Sequence, residues 1–252
     1  VNAIATRPAT SRAIVATVGY TLRSALPTKR WIGAVLPAAL SILFGVLAAN
    51  LDDARDAAFI GVAANALFTL ILPVTCLVIG DAVLGAEVRS GTFTFTWMSP
   101  VPTWQIVIGR WLGGTLAAAG TLAVAFALAA VVANAPETAG AAVVSVAFGA
   151  GTYVAVFIAI GCITQRAAVW SLAFVFLFEY LLGTALAGIA QISPSWMARA
   201  AFVGLTDVRF DLEREGIPHG TGALVRLAVL TAIALALANW RLRHLRLTGS
   251  SD

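Results

Sequence analysis

The sequence predicts an all-α, polytopic membrane protein with six transmembrane helices, and three observations carry that prediction. Of the 252 residues, 60% are hydrophobic and only 11% charged, with a mean hydropathy of +0.92, too little polar surface to cover a water-soluble globule. Six stretches are apolar over the roughly 20 residues that a helix needs to cross about 30 Å of hydrocarbon. Lys and Arg, finally, gather in alternate loops, as they do when one side of a membrane retains them. No long polar stretch is left for a second domain, so residues 1–252 read as one transmembrane domain.

The N-terminal segment, residues 1–30, carries Arg7, Arg12, Arg23, Lys29 and Arg30 without an apolar core and cleavage site, so no cleaved signal peptide is expected. Within it, Ser11 to Leu26 places Ile14, Val18, Leu22 and Leu26 one per helical turn, the pattern of an amphipathic helix at the inner membrane surface. Pro27 and the Lys29-Arg30 pair separate this helix from the first span. The six spans fall within residues 31–240, near Trp31 to Asn50, Phe59 to Leu84, Ile106 to Ala133, Ala139 to Ile163, Ala167 to Ala190 and Thr221 to Trp240. A short tail, residues 241–252, follows.

Arg89, Arg110, Arg166, Arg241, Arg243 and Arg246 join the basic N-terminal segment on one side, whereas Asp52, Asp53, Asp56, Glu137, Asp207, Asp211, Glu213 and Glu215 fall in the opposite loops, with Arg55, Arg199, Arg209, Arg214 and Arg226 as the basic residues there. The expected topology therefore has both termini cytoplasmic. Ser193-Pro194-Ser195 opens the longest outer loop and predicts a short outer helix or re-entrant element, ending in a solvated turn at Gly216-Ile217-Pro218. The net charge of +4 and pI near 9.7 come without a basic patch interleaved with aromatics, so no nucleic-acid partner is expected. Cys76 and Cys162 both lie in apolar runs and read as small hydrophobes, and no metal site is expected.

The segment from Gly85 to Trp111 is the most informative. It lies on the predicted cytoplasmic side and sets Phe93, Phe95, Trp97 and Trp104 beside Glu87 and Arg89, aromatic anchors with a polar rim, as in a protein interface. Thr92 to Trp97 alternates with the period of a strand, but an isolated strand at a membrane surface leaves its backbone unpaired. A short helix from about Glu87 to Met98, ended by Pro100 and Pro102, satisfies its own. An interfacial aromatic belt is the competing reading and suits Trp104 and Trp111.

These residues resemble a family, the membrane subunits of type-2 ATP-binding-cassette (ABC-2 type) exporters. That family is similar in having a surface helix before six spans. After its second span comes a cytoplasmic coupling helix with an acidic residue, a Gly-Thr pair, an apolar run, Ser-Pro-Val and a closing Gly-Lys or Gly-Arg. The matching residues here are Glu87, Gly91 and Thr92, Phe93 to Met98, Ser99, Pro100 and Val101, and Gly109 and Arg110. Thr94 and Thr103 depart from the acidic and basic residues common there. The resemblance implies that Glu87, Arg89, Gly91, Thr92, Phe93, Phe95, Trp97, Pro100 and Val101 dock on a separate ATPase subunit. Its dimer closure would then bias a two-state arrangement of the spans.

The chain lacks G-x-x-x-x-G-K-[ST], so ATP and Mg are expected on the partner, with no cofactor on this chain. The resemblance further implies a homodimer, or a heterodimer with a sister permease, in a bacterial inner membrane. The expected cargo is lipophilic: a drug or antibiotic, a lipid or a peptide.

Gln165 and Arg166 offer a second, smaller inner contact for that partner. Glu179 stands inside the apolar run of the fifth span, where an ionised carboxylate costs on the order of 3 kcal/mol. It is either a residue of the substrate path or dimer interface, or the acceptor of an interhelical hydrogen bond to Thr or Gln on another span. Asp81 reads as a capping or snorkelling residue, Pro37 and Pro73 as kink sites, and Gly109, Gly113 and Gly114 as a stripe permitting close helix approach. H-E-x-x-H and G-x-S-x-G do not occur, so the chain is not expected to be an enzyme. An ion-coupled secondary transporter using Glu179, or a non-transporting membrane anchor, are the alternatives.

Overall fold

The computed structural model describes residues 10–25, 32–51, 55–85, 101–164, 166–206 and 218–244, and every regular element among them is helical. The helices are α1 (Thr10–Ala25), α2 (Ile32–Ala49), α3 (residues 55–85), α4 (Thr103–Val132), α5 (Ala139–Ile163), α6 (residues 167–185), α7 (Pro194–Gly204) and α8 (Thr221–Arg243). Five runs are long and apolar enough to cross a membrane: Ala57–Val83, Thr103–Val132, Pro136–Ile163, Ala167–Ala185 and Thr221–Arg243. The apolar part of α2, Val35–Ala49, is shorter. Their outer faces leave Leu116, Val124, Leu128, Phe176, Leu177, Val229 and Ile233 exposed, a surface that lipid solvates and water does not. The protein is an α-helical membrane protein.

Two of these helices are not α-helical throughout. In α3, π-helical turns occupy Ala63–Ile71 and Asp81–Gly85 around α-helical Leu72–Gly80. Pro73 lies just past the first of them. A proline withholds its own N–H and crowds the preceding turn, and the wide turn, in which Leu72 N–H reaches back to Leu67 O, takes up that mismatch. In α6 a π-helical stretch covers Phe174–Leu182. Its buried residues are Ala167, Ser171, Val175, Glu179 and Gly183, every fourth position. In a pure α-helix such a stripe drifts by roughly 40° per step, and the wider turn holds it on one side.

The helix that organises the core is α5, buried without interruption from Gly149 to Ala155, as a helix apolar all round must be. Close approaches fix the directions around it. Gly80 meets Phe157 and Gly149 meets Leu72, so α3 and α5 run the same way. Thr152 Oγ1 lies 3.0 Å from Thr231 Oγ1 on α8, and Gly114 on α4 meets Val154 and Val83. One end of the bundle, here the Arg110 end, thus gathers the end of α3, the start of α4 and the end of α8. There Thr103 Oγ1 donates to Asn239 Oδ1 at 3.1 Å. Phe68 marks the opposite half, stacked on Phe202 at 5.1 Å and edge-on to Phe126 at 5.3 Å, binding α3, α7 and α4 together.

Small residues set the approach of α1 and α2 to α4. A Cβ on Gly109 would lie 2.7 Å from Thr17 Cβ, and one on Gly113 2.7 Å from Thr21 Cβ. A four-residue step on one helix matches a four-residue step on the other, so α1 runs alongside α4 in the same direction. Gly109 and Gly113 of the predicted stripe therefore serve α1, whose Ala13 and Thr21 are buried, while Gly114 faces α3 and α5. Farther along, Gly45 of α2 sits where a Cβ would stand 2.5 Å from the Ala129 carbonyl oxygen. Because that neighbour is backbone, Gly45→Ala must push α2 and α4 apart. We expect a loss of about 2 kcal/mol, read as a lower midpoint of thermal unfolding in detergent, whereas Gly120→Ala, with open space around it, leaves the midpoint unchanged or raised.

Several boundaries differ from the sequence reading, the last helix for one running on to Arg243. The helix containing the second span starts at Arg55, and the one containing the third at Thr103, each extending past its apolar run. The fifth run ends at Ala185 instead of Ala190: Leu186 is extended (φ −121°, ψ 113°) and the chain turns back through the single turn Ala187–Ala190.

Candidate functional site

That turn-back creates the site. From α6 the chain folds inward to Ser193, then leaves again as α7, whose last residue Gly204 abuts Gly220 at the start of α8. Residues 186–204 are therefore a re-entrant hairpin, one of the two forms the sequence allowed. Ser193 caps α7, its hydroxyl accepting from the Trp196 N–H, with Pro194 in the first turn, the residue types that favour a helix start.

The first turn of α7 meets Glu179 of α6. Its Oε1 accepts from Ser193 Oγ at 2.6 Å and from Ser195 N at 3.1 Å, with Ser195 Oγ at 3.4 Å. The other oxygen, Oε2, accepts from the Tyr153 hydroxyl of α5. Glu179 is only 3% exposed, yet both oxygens are satisfied, and the N-terminus of α7 adds the favourable end of a helix dipole. Burial of this carboxyl is thereby offset by three elements that it joins. Of the readings the sequence left open, the structure supplies the interhelical hydrogen bond, with Tyr and Ser as partners where Thr or Gln was expected.

Glu179 also borders a cavity of about 760 Å³. One wall is the π-helical part of α3, with Asn65, Ala66, Thr69 and Leu70; the other is α6, with Val175, Phe176 and Tyr180. Ser195, Trp196 and Arg199 of α7 complete it, the Arg199 guanidinium lying 4.8 Å over the Trp196 ring. Such a volume accommodates a small amphiphilic molecule. Its lining is apolar and aromatic with a few polar groups.

The other predicted site residues lie elsewhere. Glu87, Arg89, Gly91, Thr92, Phe93, Phe95, Trp97 and Pro100, with the helix predicted over them, fall outside the described residues, as does Gln165. Val101 is half-buried just before α4, and Arg166 is exposed ahead of α6, both at the Arg110 end. Trp111 is no belt residue, since its indole N–H donates inward to Gly151 O at 2.8 Å. Cys76 and Cys162 are buried free thiols. Sequence reasoning missed Tyr153, Ser193 and Ser195. The Ser-Pro-Ser helix start was the available signal for two of them, and a lone tyrosine in an apolar span for the third. No known family's sequence profile matches the chain, and no curated protein resembles it at a significant level.

Proposed function

We propose that this chain is the membrane subunit of an ABC-2 type exporter, moving a lipophilic substrate at the expense of ATP hydrolysed by a separate subunit. The observation that carries the reading is the grouping at the Arg110 end. There α1, the end of α3, the start of α4 and the end of α8 surround the two roots of segment 86–100, which holds the coupling-helix residues. A push on that segment reaches four helices at once. The cavity beside Glu179 lies away from this end, between α3 and α6, where a path for substrate belongs. In this reading the chain has six spans, α2 being the first. The Arg110 end faces the cytoplasm of a bacterium, both termini are cytoplasmic, and a second permease closes the path across α6. ATP and Mg bind the partner, and the chain is not itself an enzyme.

Purification of the full chain from its native membrane is expected to bring an ATPase subunit with it. Trp97→Ala is expected to weaken that association about 30-fold, the effect of losing an aromatic anchor of about 2 kcal/mol, and Glu87→Ala less. Unaltered association in both would remove the docking assignment. Transport that persists in vesicles without ATPase and collapses with the proton gradient would replace it by the ion-coupled reading.

A further inference from the structure

Arg110 is 2% exposed, and its guanidinium reaches two other helices. Its Nη1 donates to Val83 O at 2.8 Å. Val83 lies in the π-helical turn Asp81–Gly85, the last described stretch of α3. The guanidinium carbon also lies 4.9 Å from the centroid of the Tyr20 ring. Tyr20 belongs to α1, and its ring is more than half exposed on the other side. One guanidinium carried by α4 thus reaches α3 through a hydrogen bond and α1 through the Tyr20 ring.

We infer that Arg110 is a positioning residue: with Tyr20 it clamps α1 and the end of α3 onto the start of α4, fixing the separation of the two roots of segment 86–100. The glycines support this geometry, since Gly109 and Gly113 bring α1 close enough for the ring to reach the guanidinium. The clamp requires arginine. A lysine ammonium is a single compact charge on a flexible stem and cannot span the Val83 carbonyl and the Tyr20 ring at once as the wider guanidinium does. The role of the clamp in transmission rests on the permease reading; the clamp itself does not.

The test uses the full chain in lipid nanodiscs, spin-labelled at Val15→Cys on α1 and Val78→Cys on α3. Both positions are exposed, whereas the native cysteines are buried. The wild-type background is expected to give a narrow distance distribution. Arg110→Lys and Tyr20→Leu should broaden it about twofold, as expected when a cation–π contact holding one geometry is lost, and Tyr20→Phe, which keeps the ring, should restore it. Tyr20 is half-exposed, so Tyr20→Leu removes the contact without emptying the core. An unchanged distribution in Tyr20→Leu would overturn the clamp.

With the ATPase subunit bound, substrate moved per ATP should fall at least about fivefold in Tyr20→Leu while ATP turnover stays within about twofold, the signature of lost coupling. A ratio unchanged from wild type would overturn the role in transmission. Failure of the wild-type chain to engage any ATPase would instead sink the permease reading, and the distances, measured without an ATPase, would still decide the clamp.

Discussion

Glu179→Leu is expected to destabilise the protein by about 3–5 kcal/mol, because three buried donors lose their common acceptor. The substitution keeps the volume and the apolar character of the span, so a sequence-based view of a membrane helix would call it an improvement. The geometry says otherwise. Tyr153 Oη, Ser193 Oγ and Ser195 N all donate to this carboxyl, and each buried donor left unpaired costs about 1–3 kcal/mol. Thermal unfolding in detergent should show the loss directly, with the hairpin at 186–204 becoming accessible to proteolysis first, because α7 loses its anchor to α6. Glu179→Gln separates fold from transport. Its amide oxygen can still accept from Ser193 and Ser195, and the Tyr153 hydroxyl can turn to accept from the amide, so about 1 kcal/mol is expected. Export that stays normal in Glu179→Gln would take Glu179 out of the substrate path; wild-type stability in Glu179→Leu would show that the network does not hold the hairpin.

Glu179 also shows how far the sequence reaches. An acidic residue in F-V-F-L-F-E-Y-L-L-G must find a partner, and that demand is local and legible. The partners are not, because Tyr153 belongs to a different helix and Ser193 lies beyond a reversal marked only by Gly183 and Gly188. Leu186 to Ala190 reads as a continuation of the fifth span: no proline or charge marks the break, and an apolar run looks the same whether it exits the membrane or turns back into it. Likewise the π-helical stretch of α6 leaves no compositional trace, since the sequence specifies which residues are apolar but not how wide the turn that carries them is; in α3 only Pro73 hinted at an irregularity. The long apolar runs themselves were plain, since burying or lipid-facing about 20 consecutive residues admits few solutions. Gly109 and Gly113 were readable as a close-approach stripe, yet only the structure gives the partner, α1. Arg110 was singled out by resemblance alone; only the structure shows its burial and its hold on Val83 O.

The far end of the hairpin should be as unforgiving as the Glu179 end. A Cβ on Gly204 would stand 2.1 Å from Gly220 N, 2.7 Å from Gly220 Cα and 2.8 Å from His219 C. All three are backbone atoms, so no side chain can rotate away and the end of α7 must separate from the start of α8. That separation also strains the hydrogen bond from Gly220 N to Ala200 O, now 3.1 Å. Overpacking of about 3 kcal/mol is expected for Gly204→Ala, with retention of the helices by circular dichroism and a large drop in the unfolding midpoint. Gly220→Ala tests the same joint from its other side. Gly220 has φ 57° and ψ −124°, a combination that residues with a Cβ adopt only at a cost of about 1–3 kcal/mol, and its Cβ would lie 2.8 Å from Gly204 O. If the two glycines act through one joint, the double substitution should cost clearly less than the sum of the singles, because the first has already opened the contact that the second would strain. Strict additivity would mean that they destabilise independently and that α7 is held at its outer end by the aromatic stack of Phe202 on Phe68 instead.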